Sequence, residues 1–279
     1  MRLLVTGASG GVARAFLAQV PAHHEVRAFT HEELDIGDYH AVMQTVHEVG
    51  PEAVLNFAAF TKVDACETAP ELAYRANTVG PQNLALASRR VGIVLLHVST
   101  DYVFDGEKPT PYDELDVPNP ISVYARSKLG GEDMVRQLTH EHFVVRVGYV
   151  FGAGTDYLSG AVQRLARGEA AGGVVDRVGT PTYVHHLATR FLPLLLTGRF
   201  GTYHLAGPES ASWFDVLTRV KALAGYPGEV FEQHADELGL PAPRPRGSAL
   251  TSAFLHEVGI DPLPPLEVAL KEMTGGRHD

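Results

Sequence analysis

The chain has 279 residues, 45% of them hydrophobic and 20% charged, enough apolar material to bury one large core or two ordinary ones. Its net charge of −10 argues against a general nucleic-acid or acidic-membrane binder. A single cysteine, Cys66, excludes an intrachain disulfide, the 14 histidines lack metal-ligand spacing so no metal site is read, and no apolar run resembles a signal peptide or a membrane span, which together predict a cytoplasmic protein.

Residues 2–6 form a short apolar strand, Gly7-Ala8-Ser9-Gly10-Gly11-Val12-Ala13 follows, and residues 14–20 read as a helix. Strand, glycine turn and helix make a phosphate cradle: glycines let the backbone approach, and the helix N-terminus attracts the anion. The spacing is G-x-x-G-x-x-A, in which the final alanine still permits close helix–strand packing. A glycine turn by itself is equally a tight turn; its place directly after the first strand favours a dinucleotide. Residues 25–29 form a second strand that ends in Thr30-His31 with no acid at its tip, Glu32 and Glu33 coming slightly later. An acid there would bind the ribose 2′-hydroxyl of NAD, so Thr30, His31 and Arg27 point to the 2′-phosphate of NADPH, with NADH as the alternative. That His31 is only a solvated loop histidine is an equal reading.

Leu34-Asp35-Ile36 follows in a turn placed over the adenine, and residues 39–49 are helical. A third strand, 53–57, ends in Ala58-Ala59-Phe60-Thr61, where two alanines either leave room for a cofactor or simply pack. Residues 71–90 read as one helix kinked at Gly80-Pro81. Cys66 precedes it in a loop and has no histidine base near it in sequence, so it is read as inert.

The unbroken apolar run 93–96 predicts a buried strand, which delivers Ser99, Thr100 and Asp101 to its C-terminal edge, where open α/β sheets place ligands. Pro118 and Pro120 break the chain before a helix whose Tyr124 and Lys128, at i and i+4, share one face. Hydroxyl, phenol and ammonium suit redox chemistry at a carbonyl. The oxygen needs a proton as hydride reaches carbon; a nearby ammonium draws the tyrosine pKa down from its usual value near 10; Thr100 holds the oxygen as charge develops. For the bare Tyr/Lys pair a solvated helix face is the favoured reading. The Ser-Thr-Asp strand end about 25 residues upstream decides for a site.

Residues 143–147 form another apolar strand, followed by Gly148-Tyr149, whose ring projects from the same sheet edge as Thr100 as a platform for a sugar or base. Alternating strands and helices predict an α/β fold, a Rossmann-type doubly wound parallel sheet. Beyond Gly152 the elements shorten, so residues 1–152 are read as the NAD(P)-binding domain and 153–279 as a smaller substrate-binding part with segments returning to the sheet. Helices are expected over 158–167, 185–196 and 212–223, a returning strand over 201–205, and two short helices at the C-terminal end. Arg244-Pro245-Arg246 puts two arginines in a stiff loop, suited to a diphosphate or simply surface charges.

On these motifs the chain resembles the extended short-chain dehydrogenase/reductase superfamily and, within it, the dTDP-4-dehydrorhamnose reductase family. The pieces that carry the likeness are Leu34-Asp35-Ile36, N-F-A-A-F-T-K-V-D-A-C-E from Asn56, H-V-S-T-D-Y-V-F-D-G from His97, N-P-I-S-V-Y-A-R-S-K from Asn119, G-T-P-T from Gly179 and G-T-Y-H-L-A-G from Gly201. The resemblance implies NAD(P)H-dependent reduction of the 4-keto group of a nucleotide-linked deoxysugar, with Thr100, Tyr124 and Lys128 as the catalytic set. It implies cofactor contacts at Gly7, Gly10, Gly11, Val12, Asp35, Ile36, Ala58, Ala59 and Thr61, and Asp101 facing the sugar. A homodimer is the expected assembly. Gly148-Tyr149 stands where the family usually has Ser-Trp, and Asp156-Tyr157 replaces a usual Asn-Phe, so sugar and base specificity are open. Two other readings share these motifs: a reductase or epimerase of another NDP-sugar, and a non-catalytic partner like the regulatory subunit of methionine adenosyltransferase.

Overall fold

The computed structural model describes residues 1–275. Its centre is a six-stranded, all-parallel sheet in the order β10-β5-β4-β3-β1-β2, comprising β1 (Arg2–Thr6), β2 (Glu25–Phe29), β3 (Ala53–Asn56), β4 (Val94–Thr100), β5 (His142–Val147) and β10 (Gly201–His204). The four inner strands are buried almost throughout, which is why their sequences run apolar rather than alternating.

Helices cover both faces. On one, α1 (Gly11–Leu17) and α8 (Val184–Leu196) bury Phe16, Leu187 and Phe191 against Leu3, Val5 and Val145. On the other, α2 (Tyr39–Val49) and α5 (Gly80–Val91) bury Val42, Val46 and Leu84 against Leu4, Val54 and Leu95. Between α2 and α5 lie α3 (Val63–Thr68) and α4 (Pro70–Tyr74); α6 (Val123–Leu138) precedes β5. After β5 come β6 (Val150–Phe151), α7 (Tyr157–Ala166), β7 (Ala171–Val174), β8 (Val178–Gly179) and β9 (Thr182–Tyr183); after β10 come β11 (Ala211–Ser212), α9 (Trp213–Ala224), β12 (Val230–Gln233) and α10 (Leu266–Met273). A separate apolar cluster joins α7, α9 and α10 through Leu158, Leu165, Leu217 and Leu270.

Three expectations change. The helix over 71–90 is not one helix kinked at Gly80-Pro81: α4 passes through a π-helical turn, Arg75–Val79, and α5 begins at Gly80. Pro81 starts the new helix, where its missing N–H costs nothing, and Gly80 is needed because a Cβ there would lie 2.4 Å from Ile36 Cδ1. Cys66 is not in a loop but buried in α3, its thiol donating to the Phe60 carbonyl. Of the two C-terminal helices, the first is only a 3₁₀ turn, His256–Val258. The two-stranded pairs β7–β12, β8–β11 and β6–β9 add a layer beyond the sheet that no alternation announced.

The strand order reverses between β1, whose next strand lies on one side, and β3 on the other. The crevice at that switch point, beyond the strands' C-terminal ends, is where the glycine turn after β1 and the Ala58 segment after β3 meet, with Thr100 one strand further on.

Candidate active site

Thr100 ends β4 opposite Val147 of β5 and is 7% exposed. Its Oγ1 accepts from the Tyr102 N–H at 3.2 Å, starting the 3₁₀ turn Asp101–Val103, and donates to Asp101 Oδ1 at 3.0 Å. Asp101 is 3% exposed, and its other oxygen accepts from the Ser248 hydroxyl. Burial raises the Asp101 carboxyl to about 6, against the opposing effect of the Ser248 and Thr100 hydrogen bonds. The Asp101 carboxylate, which the resemblance assigns to the sugar, is buried next to Thr100 and takes one hydrogen bond on each oxygen.

Ser122 caps α6 by accepting from Ala125 N, and Glu67 of α3 accepts from Val123 N at 2.8 Å, so the helix start is held from two sides. That start places Tyr124 and Lys128 one turn apart, 8% and 2% exposed. Lys128 Nζ donates to the Val98 carbonyl of β4 at 2.7 Å. Burial pulls the Lys128 ammonium down to about 8, with Glu132 opposing. Thr100 lies close enough to the Tyr124 hydroxyl to offset part of the rise in its pKa, and Lys128 is tied to the same strand at Val98. Sequence reasoning expected Lys128 to lower the Tyr124 pKa, and that expectation is overturned. Burial raises it, Asp101 and Tyr102 add to the rise, and Thr100 offsets only part. The ammonium is turned to Val98, and Tyr124 is therefore held protonated.

Behind Lys128 lies a network the sequence reading missed. Glu132 is fully buried and accepts from Arg146 Nη2 at 2.8 Å and Arg136 Nη1 at 2.9 Å; Arg146 also reaches His204 Nε2 at 3.3 Å. The signal was present: Tyr124, Lys128, Glu132 and Arg136 repeat every four residues, a polar stripe down one face of α6.

At the switch point, Gly7 has φ +71°, and a Cβ there would stand 2.5 Å from Ala58 N. Gly10 N donates to Gly7 O, and Gly11 meets Ala153 where a Cβ would come within 2.4 Å. α1 begins with no side-chain cap and no acid in its first turn, so nothing of the protein's own competes with an anion there. Val12 packs on the core, Ala58 and Ala59 are half-buried, and Thr61 is exposed. Asn56 ties the floor together, accepting from Thr6 Oγ1 and Ala58 N and donating its Nδ2 to His97 Nδ1 at 2.9 Å. These residues fit the pyrophosphate of a dinucleotide.

The far end of the cradle differs from expectation. The tip of β2 does carry an acid: Glu33 folds back and accepts from both Thr30 N and Thr30 Oγ1, at 2.8 and 2.9 Å. Those bonds hold the Glu33 carboxyl below its usual range. His31 and Arg27 are exposed. Asp35 pairs with Arg75 at 2.8 Å, and Ile36 is buried under Gly80.

On the substrate side, Tyr149 is the only non-glycine residue with positive φ among the described residues, at 44°. Its ring stacks on Trp213 at 5.0 Å and 9°, Tyr157 leans on the same indole, and Gly179 leaves the space the Tyr149 ring occupies. Trp213 escaped the sequence reading because it opens a helix with no motif around it. Asp156 does not enter the pocket: it caps α7, accepting from Ser159 N and Ala153 N. Arg244 pairs with Asp64 at 2.7 Å, and its charge acts to lower the pKa of Tyr102, whose ring meets that of Tyr124 edge-on. Arg246 is exposed and forms no ion pair among the described residues, so the two arginines part company. Arg177, another residue not foreseen, stands beside Tyr149 with its Nε buried and unpartnered.

Residues 1–276 match the family model described as the RmlD substrate binding domain. The chain is similar to the dTDP-4-dehydrorhamnose reductase of Mycolicibacterium smegmatis, 38% identical over 278 residues covering 97% of this chain and 84% of that one. Among solved structures it is similar to the Bacillus anthracis dTDP-4-dehydrorhamnose reductase in complex with NADP, with TM-score 0.94, 33% identity and 98% of each chain covered. The Clostridium acetobutylicum reductase superposes with TM-score 0.95 at 34% identity over 99% of each chain.

Proposed function

The chain belongs to the dTDP-4-dehydrorhamnose reductase family, and from that premise we propose that it reduces the 4-keto group of dTDP-4-dehydrorhamnose to give dTDP-rhamnose, using NADPH. The observation that carries the reading is the meeting of Thr100, Tyr124 and Lys128 at one strand end, beside the glycine cradle.

NADPH, when bound, supplies the hydride. The chain supplies the rest. Gly7, Gly10 and Gly11 admit the pyrophosphate, and Ala58 and Ala59 keep the wall beside it low. Tyr124, held protonated by burial, carries at its hydroxyl the proton that the carbonyl oxygen needs. Thr100 holds that oxygen as negative charge grows on it. Lys128, anchored on the Val98 carbonyl, ties the helix that carries Tyr124 to the strand that carries Thr100. Asp35, Ile36, Thr61, Thr30 and His31 are assigned to the adenosine half of the cofactor, and Tyr149, Arg244 and Arg246 to the sugar nucleotide.

Residues 1–152 form the cofactor half of this reading and 153–279 the substrate half. Trp213 and Arg244, which lie beyond residue 152 and meet Tyr149 and Asp64, support the division. No helix among the described residues is long and apolar enough to cross a membrane, and a cytoplasmic setting belongs to the same proposal. The test is NADPH oxidation against a panel of dTDP- and UDP-linked 4-ketosugars, with product analysis. Turnover of the dTDP-4-keto-6-deoxy sugar is expected; turnover of a UDP-sugar alone would move the assignment to another NDP-sugar enzyme.

A further inference from the structure

Thr100 has one hydroxyl hydrogen, and the structure commits it. Thr100 Oγ1 donates to Asp101 Oδ1 at 3.0 Å and accepts from Tyr102 N at 3.2 Å, leaving one lone pair. An ionised carboxylate can only accept hydrogen bonds. While Asp101 is ionised it therefore holds the Thr100 hydrogen, and Thr100 can offer the pocket only a lone pair. A ketone oxygen also only accepts, so this arrangement suits an alcohol O–H and not the carbonyl that must be reduced. If Asp101 carries a proton on Oδ1, the bond reverses: Asp101 donates to Thr100, and the Thr100 hydrogen is free to point at the carbonyl.

The surroundings make that reversal accessible. Among the described residues, no cation is bonded to Asp101. Its second oxygen takes the Ser248 hydroxyl, and the α-carbon of Gly148 packs against the carboxyl so closely that a Cβ there would lie 3.0 Å from Asp101 Cγ. The titratable groups that face it are three tyrosines: Tyr102 from its own turn, Tyr124 from α6 and Tyr149 from the β5–β6 turn. The cations nearby are engaged elsewhere, Arg244 with Asp64, Arg177 with Asp176, and Lys128 with the Val98 carbonyl.

We infer that Asp101 is a positioning residue whose protonation state sets the direction of the Thr100 hydrogen bond, so that Thr100 donates to the ketone when Asp101 is protonated and accepts from the alcohol when it is ionised. The inference rests on the reductase reading. It adds no proton to the reaction: the carbonyl carbon gains a hydride, its oxygen gains the Tyr124 proton, and the Asp101 proton only turns the hydroxyl. Burial holds the carboxyl at about 6, within the range where both forms are populated near neutral pH.

The test is the pH profile of kcat/KM for reduction of the dTDP-4-ketosugar by the wild type and two variants. For the wild type, kcat/KM is expected to fall roughly tenfold per pH unit above about 6, towards a plateau about 10²-fold lower, the loss of one hydrogen bond to a developing oxyanion. Asp101→Asn, whose amide N–H₂ can donate to Thr100 as the acid does, is expected to be flat across that limb whatever its absolute rate. Ser248→Ala removes a bond that favours the ionised form and moves the limb to higher pH. A limb that survives unchanged in Asp101→Asn overturns the inference. So does a limb that Ser248→Ala leaves in place, which serves if Asp101→Asn does not fold. Difference infrared spectroscopy on the protein without substrate separates this from failure of the reductase reading: a buried carboxylic-acid C=O band that titrates near 6 is expected in the wild type. Its absence sinks the inference even if the sugar is reduced. Its presence without any sugar turnover sinks the reductase reading and with it the role given to Thr100.

Discussion

Lys128 Nζ is tied to the carbonyl of Val98, two residues before Thr100, by a 2.7 Å hydrogen bond. The helix that carries the proton donor and the strand that carries the oxygen-holding hydroxyl are thereby fixed to each other by a charged side chain 2% exposed. Lys128→Met leaves the Val98 carbonyl without its donor, a cost of about 1–3 kcal/mol, set against relief from burying an ammonium. Net stability should change little, while NADPH affinity and turnover both fall. A cofactor titration alongside initial rates checks this; unchanged values for both would remove Lys128 from the site.

The same lysine makes stability depend on pH. Its folded pKa is drawn down to about 8 from the usual lysine value of 10.5, so the unfolded chain binds the extra proton between those values. The penalty for burying the ammonium is fully present below pH 8 and is relieved as pH rises through 8 towards 10.5, so this group makes stability increase over that window. The total is on the order of 3 kcal/mol. Urea midpoints at pH 7.5 and 9.5 for wild type and Lys128→Met read it as a difference: the wild type should gain on the variant at the higher pH, and equal slopes would show that the lysine is hydrated in solution.

Tyr124→Phe removes one hydroxyl from a folded helix and should leave the melting temperature nearly unchanged. Turnover should fall by roughly 10²–10⁴, the contribution of a positioned general acid. Steady-state rates with the ketosugar decide it, and near-normal turnover would mean that another group delivers the proton.

Much of this was legible in the sequence, and the missing parts share a cause. The sheet was readable because the inner strands are buried on both sides and so run apolar, and the glycine turn because Gly7 must approach Ala58. The catalytic trio was readable from one strand end and an i, i+4 pair. Pairings across long sequence separations were not: Arg244 with Asp64, 180 residues apart, or Arg146 of β5 with Glu132 of α6. The β7–β12 pair stayed hidden because Gly172 and Gly173 give no alternation to read. Glu33 was discounted for lying past the strand, yet three residues after Thr30 is the spacing at which a side chain folds back onto the strand end. The direction of the Tyr124 shift failed for a related reason: sequence shows that an ammonium is near but not that it points to Val98.

Glu33 bears on cofactor choice. Its carboxylate sits on Thr30 at the tip of β2, where a 2′-phosphate would come, and its negative charge opposes that phosphate. Preference for NADPH over NADH is therefore expected to be modest. Glu33→Gln keeps a side-chain oxygen for Thr30 and removes the charge, so the ratio of kcat/KM for the two cofactors should rise roughly three- to tenfold. A ratio that does not move would place the phosphate away from Thr30 and His31.

Tyr149 joins two effects that single substitutions separate. Its backbone has φ 44°, a region that costs a non-glycine residue about 1 kcal/mol or more, and the cost is set against the stacking of its ring on Trp213 at 5.0 Å. Tyr149→Ala keeps the strained backbone and loses the stack, whereas Tyr149→Gly loses the stack but relaxes the backbone. The glycine variant should therefore be the more stable of the two by about 1 kcal/mol. If the Tyr149–Trp213 pair is also the platform for the nucleotide, both variants and Trp213→Ala should weaken dTDP binding to the NADPH-loaded protein to a similar degree, because each removes the same stacked surface. Calorimetric titration of dTDP and UDP, with urea unfolding of the same samples, reads both effects. Loss of stability with dTDP affinity intact would show that the stacked pair only holds the β5–β6 turn, and the base would then have to be sought against another wall of the pocket.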